Sequence, residues 1–100
     1  MGNRRKGRMG ELEWSKRVEG RRVSVPGMQS ADVEDKYGRL WEVKRTKKLP
    51  ESIKMHLRQA KREGAHAVAI REDRGQWIVI MFWDDFERIY FNSEGADEQA

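Results

Sequence analysis

Seven consecutive apolar residues, Trp77-Ile78-Val79-Ile80-Met81-Phe82-Trp83, stand in a chain of 100 residues of which 38% are charged. The run is too short to cross a membrane, which takes about 20 residues. It is also too apolar to be left in water, and it argues against global disorder. Apolar on both faces, it reads as a central strand over 76–82, of the kind found in sheets covered on two sides by helices. The rest of the chain must supply the covering layers, and at this length it forms a single two-layer core with no second unit.

Periodicity supplies those layers. Residues 1–8 hold Arg4, Arg5, Lys6 and Arg8 and read as a flexible basic arm. A helix over 9–18 follows, with Gly20 as its stop. At about 100° per residue, Trp14, Val18, Glu11, Ser15 and Leu12 share one arc with Glu11 at its centre, while Glu13 falls opposite with Lys16 and Arg17. Residues 21–25 alternate like a strand and end at Pro26-Gly27, a turn signal. A second strand over 31–34, a turn over 35–38 and a third strand over 39–45 make 31–45 a hairpin. Pro50 opens a helix over 50–63, whose Ile53, Leu57 and Ala60 form one apolar stripe in line with Gly64, the expected C-terminal cap. A strand over 67–70 and a turn over 72–75 lead into the central strand. A short amphipathic helix over 84–91 carries Phe86, Ile89 and Tyr90, and 92–100 reads as a disordered acidic tail. The order α-β-β-β-α-β-β predicts one α/β domain over 9–91, with a central mixed sheet flanked by helices.

Several function classes are excluded at once. The absence of cysteine removes disulfides, thiol catalysis and Cys-based metal sites, and His56 and His66 are too few for a His-rich site. The basic start leads into Gly10-Glu11-Leu12-Glu13 rather than an apolar segment, so no secretory signal is expected and the cytoplasm is the expected compartment. The net charge of +4 conceals a gradient: residues 1–22 hold eight Lys and Arg against three Glu, whereas 84–100 hold one Arg against six acids. A basic body suits a polyanion ligand, because each neutralised phosphate releases counterions.

The chemistry-bearing candidates lie in the hairpin. Glu42 and Lys44 are two residues apart in the expected third strand, on one face and about 7 Å apart along it. Asp32 lies on the neighbouring strand. Two carboxylates converging with an ammonium suit metal-dependent phosphodiester cleavage: hard oxygens hold Mg²⁺, the ion activates water, and the lysine steadies developing negative charge. Glu11 adds a carboxylate from the first helix. A second Glu-x-Lys, Glu34-Asp35-Lys36, runs into Tyr37-Gly38 and reads as a turn. The basic arm is the best candidate for sequence-independent backbone contact. Trp14 and Trp41 suit either base stacking or core packing, and Lys47-Lys48 suit either a phosphate or a solvated loop.

Taken together, Gly7-Arg8-Met9-Gly10-Glu11, Arg21-Arg22-Val23-Ser24-Val25-Pro26-Gly27, Ala31-Asp32-Val33, Leu40-Trp41-Glu42-Val43-Lys44-Arg45-Thr46-Lys47-Lys48, Gln59-Ala60 and Ala67-Val68-Ala69-Ile70-Arg71 resemble the PD-(D/E)XK nuclease superfamily. Within it, they resemble the small phage and archaeal Holliday-junction resolvases, over about Lys6 to Phe82. The resemblance implies a restriction-endonuclease-like core and a DNA endonuclease that uses Mg²⁺, with Mn²⁺ able to substitute. It implies Glu11, Asp32, Glu42 and the backbone carbonyl of Val43 as metal ligands and Lys44 as the catalytic lysine. The Pro of the family name is replaced by Ala31, as is common in the resolvase branch. Gln59 matches a helix Gln seen in many members and either faces the site or is solvated. Ser24 and Ser30 both lie near the position of a resolvase serine. Arg21, Arg22, Lys47 and Lys48 join Arg4, Arg5, Lys6 and Arg8 as expected DNA contacts. Paired cuts at a four-way junction call for a homodimer with two symmetric sites, in the host cytoplasm if the chain is phage-encoded. A flap-, nick- or end-acting nuclease of the virus-type replication-repair kind shares the motif order, and an inert DNA-binding subunit is the alternative from another class.

Overall fold

Sixteen residues, Gly2–Arg17, form helix α1 in the computed structural model, which describes residues 2–23, 27 and 30–92, with side chains from Lys6 onward. Residues 2–8, expected as a flexible arm, are thus its first two turns. Lys16 and Arg17 complement the helix dipole at its end, while no acidic residue does so at its start. The buried side carries Gly10, Ser15 and Val18, with Glu11 and Trp14 half-buried beside them. This face is centred closer to Val18 and Trp14 than the expected arc, which turns Leu12 out to solvent.

The helix ends in a Schellman motif. The Gly20 N–H donates to the Ser15 carbonyl at 2.8 Å and the Glu19 N–H to that of Lys16 at 3.3 Å, with Glu19 in the left-handed region at φ 53°. Gly20 is obligatory for a different reason: a Cβ there would lie 1.8 Å from the Glu34 carbonyl oxygen. Only a bare backbone lets the chain leave α1 against the next strands. These are β1 (Arg21–Arg22), β2 (Val33–Glu34) and β3 (Leu40–Trp41), antiparallel in the order β1-β2-β3. Arg22 stands opposite Val33, and Val33 opposite Trp41. Val18 and Val33 are fully enclosed, each burial contributing about 1.5–3 kcal/mol. Trp14 meets Trp41 edge to face at 5.2 Å, so these two rings pack on each other.

The β2–β3 turn is organised by Asp35, whose side chain is 0% exposed. Its Oδ1 accepts the Tyr37 and Arg39 backbone N–H groups at 2.8 and 3.0 Å, and its Oδ2 accepts Arg39 Nε at 2.9 Å and Trp41 Nε1 at 3.0 Å. Burial alone would push this carboxyl up. The hydrogen bonds, led by that from Trp41, outweigh burial and hold it below the ordinary aspartate value. Gly38, at φ 84°, closes the turn.

The expected third strand over 39–45 pairs only through Leu40–Trp41. The reason is local: the Val43 N–H is taken by the Asp32 side chain at 2.7 Å and does not extend the backbone ladder. The first strand is likewise short, Arg21–Arg22, with the Val23 N–H continuing the register by donating to the Asp32 carbonyl at 3.0 Å, and residues 24–26 lie outside the described residues.

By their internal packing, the residues fall into two compact units, Met1–Lys47 and Lys48–Ala100. In the second, helix α2 (Glu51–Arg62) begins after Pro50 and ends at Gly64, φ 77°, in another Schellman motif: Ala65 N–H to Ala60 at 2.8 Å, Gly64 N–H to Lys61 at 3.2 Å. Leu57 is its buried residue. Strands β4 (Val68–Ile70) and β5 (Ile78–Ile80) pair antiparallel, Val68 opposite Ile80. The expected central strand is therefore one arm of a two-stranded hairpin, with Ile78 58% and Val79 66% exposed. Both sheets are antiparallel, where one mixed sheet was expected. Helix α3 (Trp83–Phe86) runs on into a π-helical turn, Glu87–Phe91, that buries Phe91 against Trp83 at 5.2 Å. Asp85 is clamped by Lys61 at 2.6 Å and Arg88 at 2.9 Å, and these two cations hold its carboxyl below its ordinary value. The tail beyond Asn92 lies outside the described residues. Among the described residues, no helix is long and apolar enough to cross a membrane.

Candidate functional site

Four stretches of the first unit converge on one open groove of about 370 Å³. Helix α1 contributes Gly7, Arg8 and Glu11, β1 contributes Arg22, the residue before β2 is Asp32, and the segment after β3 brings Val43 and Lys44. Helical spacing explains the first set, because residues 7, 8 and 11 share a face. Gly10 explains how the segment after β3 comes so near. A Cβ at Gly10 would stand 3.0 Å from the Cβ of Arg45, so the small residue is what lets that segment lie against α1.

Glu11 turns inward as expected: its side chain is 14% exposed, whereas Glu13 is exposed beside Lys16 and Arg17. It does not stand alone. Arg22 Nη2 lies 2.9 Å from its Oε2, a pairing between residues eleven apart in the chain. Asp32 faces the same groove, with Oδ2 accepting the Val43 N–H. The groove thus holds three cations (Arg8, Arg22, Lys44) against two carboxylates, Glu11 and Asp32, and is net positive.

Glu42 is the exception among the expected ligands. Exposure alternates from Leu40 to Lys44, so Glu42 and Lys44 do share a face, but Glu42 does not line the groove. Its carboxylate lies 3.6 Å from Lys44 Nζ, with the two side chains 71% and 81% exposed. A pair this exposed contributes little to stability.

The other expected residues fall as follows. Gln59 belongs to the second unit, is exposed, and donates to Glu63 Oε1 at 3.1 Å. Arg21 faces Glu34 at 3.4 Å. Lys6 is half-buried, and Lys47 and Lys48 are exposed, as is Ser30. The side chains of Arg4 and Arg5, and Ser24 altogether, lie outside the described residues. The sequence reading missed the Glu11 role of Arg22 and the close approach at Gly10. The Gly-x-x-Gly-Glu spacing in 7–11 was the available signal for the second.

The donors can be weighed against the metal that the resemblance implies. Among the described residues, no three of His, Cys, Asp and Glu gather as a metal-holding group. Glu11 and Asp32 alone still fit Mg²⁺, which commonly takes one or two carboxylates and fills its remaining positions with water and phosphate oxygens. Hard oxygens without imidazole or thiolate are the donor type that ion selects. Compared with protein-family models, curated proteins and solved structures, the chain matches nothing.

Proposed function

We propose that this protein is a metal-dependent DNA endonuclease of the restriction-endonuclease-like kind, acting on branched DNA and most simply on four-way junctions. One observation carries the reading: Glu11, Asp32 and Lys44, distant in sequence, line one groove together with Arg8 and Arg22. Clustered carboxylates repel phosphate, so a groove meant only to hold a polyanion would gain nothing from two of them. Glu11 and Asp32 would hold Mg²⁺ or Mn²⁺, with the Val43 carbonyl and the nearby Glu42 as further oxygen donors. The bound ion would supply a water of lowered pKa and polarise the phosphate.

The chain's own groups do the rest. Arg8 and Lys44 bind the phosphodiester from the two walls of the groove, and Lys44 offsets the negative charge that grows on the phosphate as water attacks in line. The Asp32–Val43 hydrogen bond fixes the segment that carries Glu42 and Lys44. Lys6, Arg21 and Lys47, on the same unit as the groove, supply further positive charge for contact with the backbone. Junction resolution needs two cuts, so the active form is a homodimer with one groove per subunit.

The test is direct: incubate the protein with Mg²⁺ and four-way junction, flap, nicked and linear duplex DNA side by side. Paired symmetric nicks on the junction are expected. Cleavage confined to flaps or nicks would transfer the reading to a replication-repair nuclease. The inert DNA-binding subunit is favoured by one observation, that Glu11 is already paired with Arg22 and Glu42 with Lys44. Binding without cleavage in both Mg²⁺ and Mn²⁺ would establish it.

A further inference from the structure

The Glu11–Arg22 pair joins α1 to β1, and both residues line the groove. Arg22 is 36% exposed and Glu11 14%, so the arginine is the more accessible of the two side chains. Among the described residues, the same groove holds one other carboxylate, Asp32, and two further cations, Arg8 and Lys44. A divalent cation held by Glu11 and Asp32 would compete with the guanidinium for the Glu11 carboxylate, which Arg22 now contacts at Oε2. Two positive groups cannot share that carboxylate at close range without several kcal/mol of repulsion. The long arginine stem lets the head swing away at little cost, and a DNA phosphate held by Arg8 and Lys44 would be its new partner. Asp32 is not exchanged in this way, since its bond is to the fixed backbone N–H of Val43.

We propose that Arg22 is the counter-ion a metal displaces from Glu11, and that the displaced guanidinium becomes a phosphate clamp for the DNA. Resting on the nuclease reading, this makes metal and DNA cooperative ligands of one groove. Without metal, Arg22 keeps Glu11 neutralised and is itself withheld from DNA; with metal, one side chain changes partner and the groove gains a phosphate contact. Arginine suits both duties because its fork matches carboxylate and phosphate alike. By linkage, DNA must then raise metal affinity by the same factor that metal raises DNA affinity.

The experiment needs no cleavage. Mn²⁺ binding to the full-length protein is measured by calorimetry without DNA, and four-way junction binding is measured over a salt series in EDTA and in Ca²⁺. Arg22→Gln should bind Mn²⁺ about tenfold more tightly than wild type, having lost the competing cation. In Ca²⁺ it should lose about one phosphate contact from the salt slope; in EDTA its slope should equal that of wild type. Glu11→Gln reaches the same state from the other side. It should raise DNA affinity in EDTA, and adding Arg22→Gln to it should remove that gain. Arg58→Gln, on α2 and paired with Glu51, serves as the charge-matched control with unchanged Mn²⁺ affinity. If Mn²⁺ binds wild type and Arg22→Gln equally, the exchange is refuted while the nuclease reading stands. If Arg22→Gln loses the same slope in EDTA as in Ca²⁺, the arginine is a permanent clamp and the exchange is again refuted. If neither protein binds Mn²⁺, both readings fall together.

Discussion

Replacing Asp35 with asparagine tests the account of the first unit more sharply than any change in its apolar core. The carboxylate is enclosed and accepts four hydrogen bonds, two per oxygen. An amide in the same place keeps the oxygen that serves the Tyr37 and Arg39 backbone N–H groups. It then presents an N–H₂ to Arg39 Nε and Trp41 Nε1, which are donors themselves. The Trp41 bond, to a charged acceptor and sheltered, is worth about 1.5–2 kcal/mol. The Arg39 bond is discounted to about 0.5–1 kcal/mol because that side chain is 36% exposed. Asp35→Asn should therefore cost about 2–3 kcal/mol, a large share of the roughly 5–15 kcal/mol typical of a small domain. In melting temperature that is on the order of 10–20 °C. Urea unfolding followed by tryptophan fluorescence measures it, and a loss below about 1 kcal/mol would refute the hub role of Asp35. A pH series adds an independent check. Because the folded carboxyl lies below its ordinary value, the unfolded chain takes up the proton first as pH falls. The stabilisation from this group is complete above the unfolded value near about 3.9 and is lost as pH drops below it towards the lower folded value. In Asp35→Asn that part of the acid-induced loss should vanish.

Three further outcomes are expected. Glu11→Gln should lower junction cleavage at least about tenfold, with partial recovery at higher Mg²⁺ or in Mn²⁺, whereas Glu13→Gln should stay within about twofold; the reverse order would move the site to the other face of α1. Asp32→Asn should abolish cleavage in an endpoint assay while DNA binding stays equal or tightens in gel shifts, since the amide oxygen can still accept the Val43 N–H as a phosphate-repelling charge disappears; near-normal cleavage would remove Asp32 from the site. In thermal melts, Gly20→Ala should destabilise by about 2–4 kcal/mol through its backbone clash, while Gly7→Ala, with nothing within 4 Å of its Cβ, should stabilise by about 0.5–1 kcal/mol.

What could be read in advance was what depends on single residues or on short spacing. The turn over 35–38 was legible because Gly38 supplies the positive φ that position demands, and α2 because Pro50 and Gly64 mark its ends. Glu11 could be separated from Glu13 by helix phase alone. What could not be read depends on partners brought from elsewhere. The shortening of β3 follows from a side chain, Asp32, competing with the ladder for one N–H. The seven apolar residues state what β5 would bury, but strand pairing depends on which ladder is offered, and among the described residues β5 pairs with β4 alone. Nothing in the alternation of 21–25 distinguished Arg22, which meets Glu11, from Arg21, which meets Glu34. Likewise, Asp35 read as one more turn residue, because its four donors become visible only when Trp41 folds back over it.

The strand register described above also bears on how fast this protein assembles. Arg21 finds Glu34, Val33 finds Trp41 and Val68 finds Ile80, so every ladder among the described residues joins neighbouring segments of chain. Loop closure over such spans costs little entropy and takes well under a millisecond. Chains built from local pairings belong to the fast end of the folding-rate spectrum, with few opportunities for mispairing along the way. Among the described residues, the groove draws on residues 7 to 44. During synthesis, at about 5–20 residues per second, these lining side chains have been made before α2 begins, and the search that brings Glu11, Arg22, Asp32 and Lys44 together is short compared with the time needed to add the next residue.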